Sequence, residues 1–294
     1  MLGLELDGQM AVAVALDESG RVVARAEHSA AGDAVARGAL DALGRVAVLA
    51  QRPLVGVAAM APESDGVQGA LRGLAEKGAR ISGGAIASGT ACAAAEAWIG
   101  AARGLADVVY LAVSDHASAG IISGGFPLLG AHNRAASAGW MALNPVERED
   151  YRRAGCLEVE AAARGIVRRL MWRIKSGDSS SVQGRVGHDL SAITIGHVLD
   201  AARAGDGLAI SVIRDTARFV GMAAANLVVI ADPEALVLGG LLASASDLLF
   251  DQVRAEITRR APESFARVLN VVPAALGADA AAIGAARLAA AAPV

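Results

Sequence analysis

The sequence predicts an α/β protein made of two units, each opening on a run of β-strands. Three observations carry that prediction. Short alternating or continuous apolar segments open the chain at 2–28 and recur at 107–129. Alanine-rich or amphipathic stretches of helical length follow each run, and alanine enters a helix without losing side-chain entropy. The chain has 294 residues, 54% hydrophobic and 19% charged, enough for two cores and too apolar for extended disorder.

In the opening segment Leu2, Leu4 and Leu6 point one way and Glu5 and Asp7 the other, the period of a strand. Segments 9–17 and 21–28 read as two further strands joined by the turn DESG. Residues 33–48 read as a helix weakened by Gly38 and Gly44, 53–59 as a strand, and 66–77 as a helix. A weak strand at 84–87 leads into an alanine-rich helix at 89–103. The pattern then restarts with the β-rich run DVVYLAV at 107–113, a partner at 117–123, and a short strand at Phe126–Leu129. Residues 130–156 are polar and irregular, a long connection of the kind that carries function. Helices are predicted at 158–175, 189–204 and 208–229, with a polar loop at 176–187. The strand ALVLG at 235–239 follows, then a helix whose start has Ser244 and Asp247 at capping-box spacing. A strand at Val268–Pro273 and a terminal helix at 279–291 complete the chain.

Composition excludes several classes. No uninterrupted apolar run is long enough to span a bilayer, and MLGLELDGQM lacks the basic start and apolar stretch of a secretory signal. Two cysteines supply neither a disulfide framework nor a four-cysteine metal site. A net charge of -3 gives no general reason to bind nucleic acid. The expectation is a soluble cytoplasmic protein without membrane attachment. Lysine occurs only at Lys77 and Lys175, an imbalance that biased genome composition explains as well as function does.

Several segments together resemble the ROK family of glucokinase-like sugar kinases and sugar-responsive repressors. They are LGLELDGQMAVAVALDESGRVVAR, ARGLADVVYLAV, AGCLEVEAAARGI, ANLVVIADPEALVLGG and VVPAALGADAAAIGAARLA. The resemblance implies a two-domain actin-like ATPase, or ribonuclease H-like, fold with an interdomain cleft. It implies a smaller domain of residues 1–108 plus the final helix at 279–294, and a larger domain of residues 109–278.

The motifs that carry the family's chemistry are altered. Its Asp-x-Gly-x-Thr phosphate loop corresponds to Glu5-Leu6-Asp7-Gly8-Gln9. Glu5 and Asp7 either hold Mg²⁺ jointly or line a solvated cleft, since a carboxylate near phosphates repels them unless a metal intervenes. The general-base aspartate of Asn-Asp-x-Asn corresponds to Ser88, and a hydroxyl needs its own base to accept a proton. Ser88 suits an N-cap better. The second, glycine-rich phosphate turn corresponds to SDHASAG, in which only Gly120 is kept and Asp115 and His116 form either a ligand contact or a polar turn.

Sugar recognition in the family uses Gly-Glu-x-Gly-His and Cys-Leu-Glu. Here Ser137 takes the glutamate position, Trp140 the histidine position, and Glu158 remains. Trp140 either stacks on a ligand or plugs the lost site. The family's zinc ligands correspond to Trp140, Glu149, Tyr151 and Cys156, so no structural zinc is expected. On the adenosine side, Gly239, Gly240, Gly277 and Gly284 fit either nucleotide packing or inherited turns.

The expectation is therefore a catalytically degenerate ROK-like protein that senses a ligand, regulates or scaffolds. Alternatives are an ATP- and Mg²⁺-dependent sugar or amino-sugar kinase with a rearranged site, and a non-kinase enzyme using Asp115, His116, His132, Asn133 and Glu158. No cofactor is expected outside the kinase alternative. A homodimer is expected, with a small molecule or protein as further partner. No DNA binding by the chain itself is expected, because its opening strand leaves no room for a preceding helix-turn-helix.

Overall fold

The computed structural model describes residues 1–7, 10–29, 35–46 and 54–291. The chain forms β1 (Leu2–Leu6), β2 (Met10–Leu16), β3 (Val22–Ser29), α1 (Val35–Val46), β4 (Leu54–Ala59), α2 (Asp65–Glu76), β5 (Arg80–Ala87) and α3 (Ser88–Trp98). Strands β6 (Val108–Val113), β7 (Ala117–Ser123) and β8 (Phe126–Pro127) follow. Then come α4 (Glu149–Ala154), α5 (Cys156–Ala161), α6 (Ala163–Lys175), α7 (Val182–Arg185), α8 (Ile195–Arg203) and α9 (Gly207–Ala231). The last elements are β9 (Ala235–Gly240), α10 (Leu241–Ser244), α11 (Ser246–Arg260), α12 (Glu263–Val268), β10 (Asn270–Pro273) and α13 (Ala280–Ala291).

Two five-stranded mixed sheets result, in the orders β3-β2-β1-β4-β5 and β10-β9-β6-β7-β8. The first is antiparallel across β3, β2 and β1, and parallel across β1, β4 and β5. This is the two-sheet α/β architecture expected of the actin-like ROK fold. Two compact units divide the chain: Met1–Tyr110, Ala119–Ala136 and Ala274–Val294 in one, Leu111–Ser118 and Ser137–Pro273 in the other. The expected domains differ from this division at residues 109–110, 119–136 and 274–278, which fall in the first unit.

The alternation of β1 sets the first unit's layers. Leu2, Leu4 and Leu6 join Val55, Val57, Leu43 and Leu74 in the core beneath α1 and α2. The opposite face carries Gly3 and, on β4, Gly56. A Cβ at either position would collide with the backbone of α13, at Ala282 and Ala285. The alanines of α13 therefore serve close approach as well as helix propensity, and this packing places the final helix in the first unit.

Several predicted elements change in detail. The helix expected at 158–175 breaks at Ala162, whose extended backbone (ψ 155°) separates α5 from α6. The helix expected at 89–103 ends at Trp98, and the one at 189–204 contracts to α8 after a short 3₁₀ turn at Leu190–Ala192. The capping box at Ser244 does not form. Ala245 precedes α11 without a side-chain cap, and Asp247 instead accepts two hydrogen bonds from Arg203, at 2.8 and 2.9 Å. The strand expected from Val268 begins at Asn270, because α12 occupies 263–268.

Candidate ligand-binding site

The sequence-predicted site residues form two groups, each within one unit. In the first unit, β1 brings Glu5 beside the start of α3. Burial pushes the Glu5 carboxyl up to about 7; the Ser88 hydroxyl opposes the rise, and the nearby Asp7 and Asp279 carboxylates add to it. Ser88 nevertheless lies outside hydrogen-bond geometry. Its Oγ is buried and, among the described residues, has no partner within hydrogen-bond geometry. The N-cap expectation for Ser88 is corrected: Ala87 takes that position, and Ser88 is already the first helical residue. Its hydroxyl is therefore not placed to bond a free amide of the first turn.

Gly120, the surviving glycine of the second phosphate motif, has a packing role. A Cβ at Gly120 would strike the Gly89 carbonyl, and one at Gly89 would strike the Ala119 backbone. The two glycines let β7 pass against the first turn of α3. Asp7 shapes the β1–β2 turn by accepting the Met10 amide at 2.6 Å. Gly8 and Gln9 lie outside the described residues.

In the second unit the β6–β7 turn meets α5. Glu158 Oε1 lies 2.8 Å from His116 Nδ1, and Glu158 Oε2 accepts the Ala117 amide at 2.6 Å. Gly139 packs beside Glu158 in a 3₁₀ turn at Ala138–Trp140. Asp115 is exposed at the turn, and Ser137 is exposed next to the 3₁₀ turn. Trp140 is 60% exposed, so the plugging reading is corrected: the ring leaves its position open. His132 and Asn133 sit exposed on the loop after β8, in the first unit.

The glycines of the adenosine side divide by environment. Gly240 has φ +62°, and a Cβ there would collide with Val113 and Ser114 of the second unit. Gly284 fits against the Ala91 backbone in the first unit. Both are consumed by internal packing rather than left open as a nucleotide cradle. Gly239 is the fifth residue of β9, while Gly277 (φ +59°) has open space around it.

Of the positions that correspond to the family's zinc ligands, Tyr151 joins a carboxylate-centred network. Buried Glu160 accepts from Tyr151 Oη at 2.5 Å, Arg148 Nη1 at 3.0 Å and Arg169 Nη2 at 2.6 Å. Burial and the Glu160 carboxylate push the Tyr151 phenol up to about 12. Cys156 packs in an apolar cluster with Tyr151 and Val159, and Glu149 pairs with Arg153. Among the described residues, no three His, Cys, Asp or Glu side chains are grouped to hold a metal ion. No described helix is long and apolar enough to cross a membrane.

Sequence reasoning missed Glu160 and Glu96. Glu96 is fully buried in α3, where its carboxylate accepts the Ala101 amide at 2.7 Å and those of Ala275 and Leu276 at 3.0 Å. An acidic residue inside an alanine-rich helix is the one sequence signal that marks it.

Comparison with known proteins matches residues 85–292 to the ROK family model. The glucokinase of Thermotoga maritima is 30% identical over 66% of this chain and 61% of its own length. The DNA-binding transcriptional repressor Mlc of Escherichia coli is 28% identical over 60% of this chain and 42% of its own length. These matches span less than two thirds of either relative. A ROK family glucokinase from Streptomyces griseus, solved with glucose and AMPPNP, superposes with a TM-score of 0.82 at 23% identity over 99% of both chains.

Proposed function

The chain belongs to the ROK family, and on that premise we propose that it is a catalytically degenerate member that senses a sugar-class ligand without phosphorylating it. The observation that carries this reading is Ser88. At the position where the resemblance expects an aspartate base there is a buried hydroxyl with no hydrogen-bond partner among the described residues. Such a group cannot take a proton from a sugar hydroxyl near neutral pH without a base of its own. The altered turn at Asp115 and His116 supports the same reading, because a carboxylate stands where phosphate-binding amides are expected. Glu158 is the acceptor retained from the sugar-recognition segment, and His116 and Ala117 fix its orientation.

A second reading, an ATP-dependent sugar or amino-sugar kinase with a rearranged centre, draws on the relatives. The Thermotoga maritima protein is a glucokinase, and a Brucella melitensis relative is a bifunctional NanE/NanK enzyme. Glu5 favours it too, as a buried carboxyl near Ser88 that is about half protonated near pH 7. In that reading ATP supplies the phosphoryl group, Mg²⁺ offsets its charge, and Glu5 holds the sugar's proton.

Product-detected assays with glucose, mannose, N-acetylglucosamine and N-acetylmannosamine, with ATP and Mg²⁺, separate the two, alongside calorimetry with the same sugars. Saturable sugar binding without sugar phosphate is the expected result. Enzyme-dependent sugar phosphate at rates lost in Glu5→Gln supports the kinase. A homodimer and the lack of DNA binding by this chain alone belong to the same proposal, tested by sedimentation and by gel shift.

A further inference from the structure

The first unit carries a cavity of about 660 Å³, lined in part by residues of the ARGLADVVYLAV and VVPAALGADAAAIGAARLA segments; of the predicted site residues only Asn133 lines it. It lies against the second half of α3, the end of α13, strands β4 and β5, and the β7–β8 hairpin. Ile86, Trp98, Leu105, Phe126, Leu129 and Leu288 are the larger apolar side chains on its α3, β5, hairpin and α13 walls. Ser88 and Glu5, at the opposite end of α3 and on β1, do not line it.

Three features distinguish this cavity from a packing fault. Its volume falls in the range of pockets that bury a small organic ligand, roughly 300–1,000 Å³. Phe126, one of its lining residues, is 77% exposed, an unusual position for a phenyl ring unless something covers it. Two cations, Arg103 and Arg287, line the same cavity, and neither makes an ion pair with a carboxylate among the described residues. Most arginines that the structure shows near carboxylates are paired, as in Arg148, Arg169 and Arg203. Arg287 is held in place by stacking on Trp98, 5.1 Å from the ring centroid, so one face of its guanidinium is oriented and its donors remain available. An apolar wall with two guanidinium groups that are unpaired among the described residues is complementary to an apolar body bearing one anionic head.

We propose that this cavity is a binding site for a small amphipathic anion, of the medium-chain carboxylate class, distinct from the sugar-class site. The alkyl body occupies the space between Trp98, Ile86 and Leu288, and the carboxylate meets Arg103 and Arg287.

The test is calorimetric titration of the full chain with dodecanoate below its micelle concentration, with dodecanol as the uncharged control. Saturable one-to-one binding of dodecanoate is expected, at least tenfold tighter than dodecanol. Arg103→Ala and Arg287→Ala should each weaken dodecanoate at least tenfold and leave dodecanol unchanged. Ala97→Phe, which fills the cavity from α3, should weaken both ligands, with circular dichroism establishing that the variant is folded. The two arginine variants keep the test decisive if that one is not. Ser88→Ala should bind dodecanoate as the natural chain does, which separates this site from the proposed sugar function. Equal affinity for dodecanoate and dodecanol, unsaturable binding, or full affinity in both arginine variants would overturn the proposal.

Discussion

His116 and Glu158 stand 42 positions apart in the chain, yet their side chains meet at 2.8 Å, and the same carboxylate holds the amide of Ala117. The bond to a backbone amide fixes the β6–β7 turn to α5 whatever the charge of the imidazole. Glu158→Ala should therefore destabilise the chain by about 1–3 kcal/mol, the cost of leaving a turn amide without its charged acceptor. Glu158→Gln keeps an acceptor and should cost less than half as much. His116→Gln should be nearly neutral for stability, because the ring is largely exposed. Urea denaturation of the three variants checks the order, and a large loss in His116→Gln would show that the imidazole, not the amide, anchors the turn.

Glu5 makes stability depend on pH in a defined sense. Its proton affinity is higher folded, at about 7, than the ordinary 4.5. The folded state thus binds more protons across that window, and stability falls as pH rises from about 4.5 through about 7. The loss is on the order of 3 kcal/mol from this residue. Glu5→Gln should flatten that part of the profile and be the more stable protein at pH 8. Parallel denaturation curves from pH 5 to 8 report it; identical slopes in both proteins would mean that Glu5 is ionised at little cost.

The Glu160 network predicts indifference to chelators. Tyr151, at a position where the resemblance places a zinc ligand, converges with Arg148 and Arg169 on one buried carboxylate, Glu160. A strong zinc chelator should leave the melting temperature unchanged. Arg169→Met should cost roughly 1–3 kcal/mol, because it removes one of the two cations on a buried carboxylate that Arg148 and Tyr151 still hold, and Tyr151→Phe less. A melting temperature lowered by the chelator would reveal a metal held by other ligands.

Ala136 predicts an unusual gain. It lies at the position where the family's sugar motif carries glycine, and its φ is 58°. A left-handed conformation costs an alanine about 1 kcal/mol more than a glycine. Ala136→Gly should raise stability by up to that amount, less the entropy that glycine adds to the unfolded chain. A loss would show that the methyl group makes contacts outweighing the strain.

These examples show what the sequence could carry. Period-two alternation marked Leu2, Leu4 and Leu6 because a strand's faces are written locally. The partnership of β1 with β4, across more than fifty residues, is not written locally. Likewise Glu158 was legible as a retained acidic residue, whereas its contact with His116 depends on how α5 meets a turn. Glu160 and Glu96 escaped notice because each is defined by its partners. Glu96 bonds amides 179 and 180 positions away. Ser88 illustrates a local rule overruled: a serine before an alanine-rich run reads as a cap, but the helix begins one residue earlier and buries the hydroxyl. Gly240 and Gly284 fit either nucleotide packing or inherited turns from the sequence, and close packing against Ser114 and Ala91 accounts for them.

Restoring an aspartate at position 88 should not restore a kinase. In Ser88→Asp a second carboxyl would enter a site where Glu5 is already disfavoured as an anion by burial. Two carboxyls in such a setting share the penalty, and at least one is driven further toward its neutral form. The pair would then keep at least one proton near neutral pH, which makes it a poor acceptor for a sugar proton. The phosphate turn would still carry Asp115 and His116. The expected outcome is background sugar phosphate formation by Ser88→Asp, with stability lower than the natural chain and falling more steeply from pH 6 to 8. Adding Glu5→Gln should relieve that pH dependence, and a double-mutant cycle measures the coupling. Strong turnover in Ser88→Asp alone would show that phosphate binding survives and that the hydroxyl at 88 is the single missing part. Additive stability effects would show that the two side chains do not share one buried site.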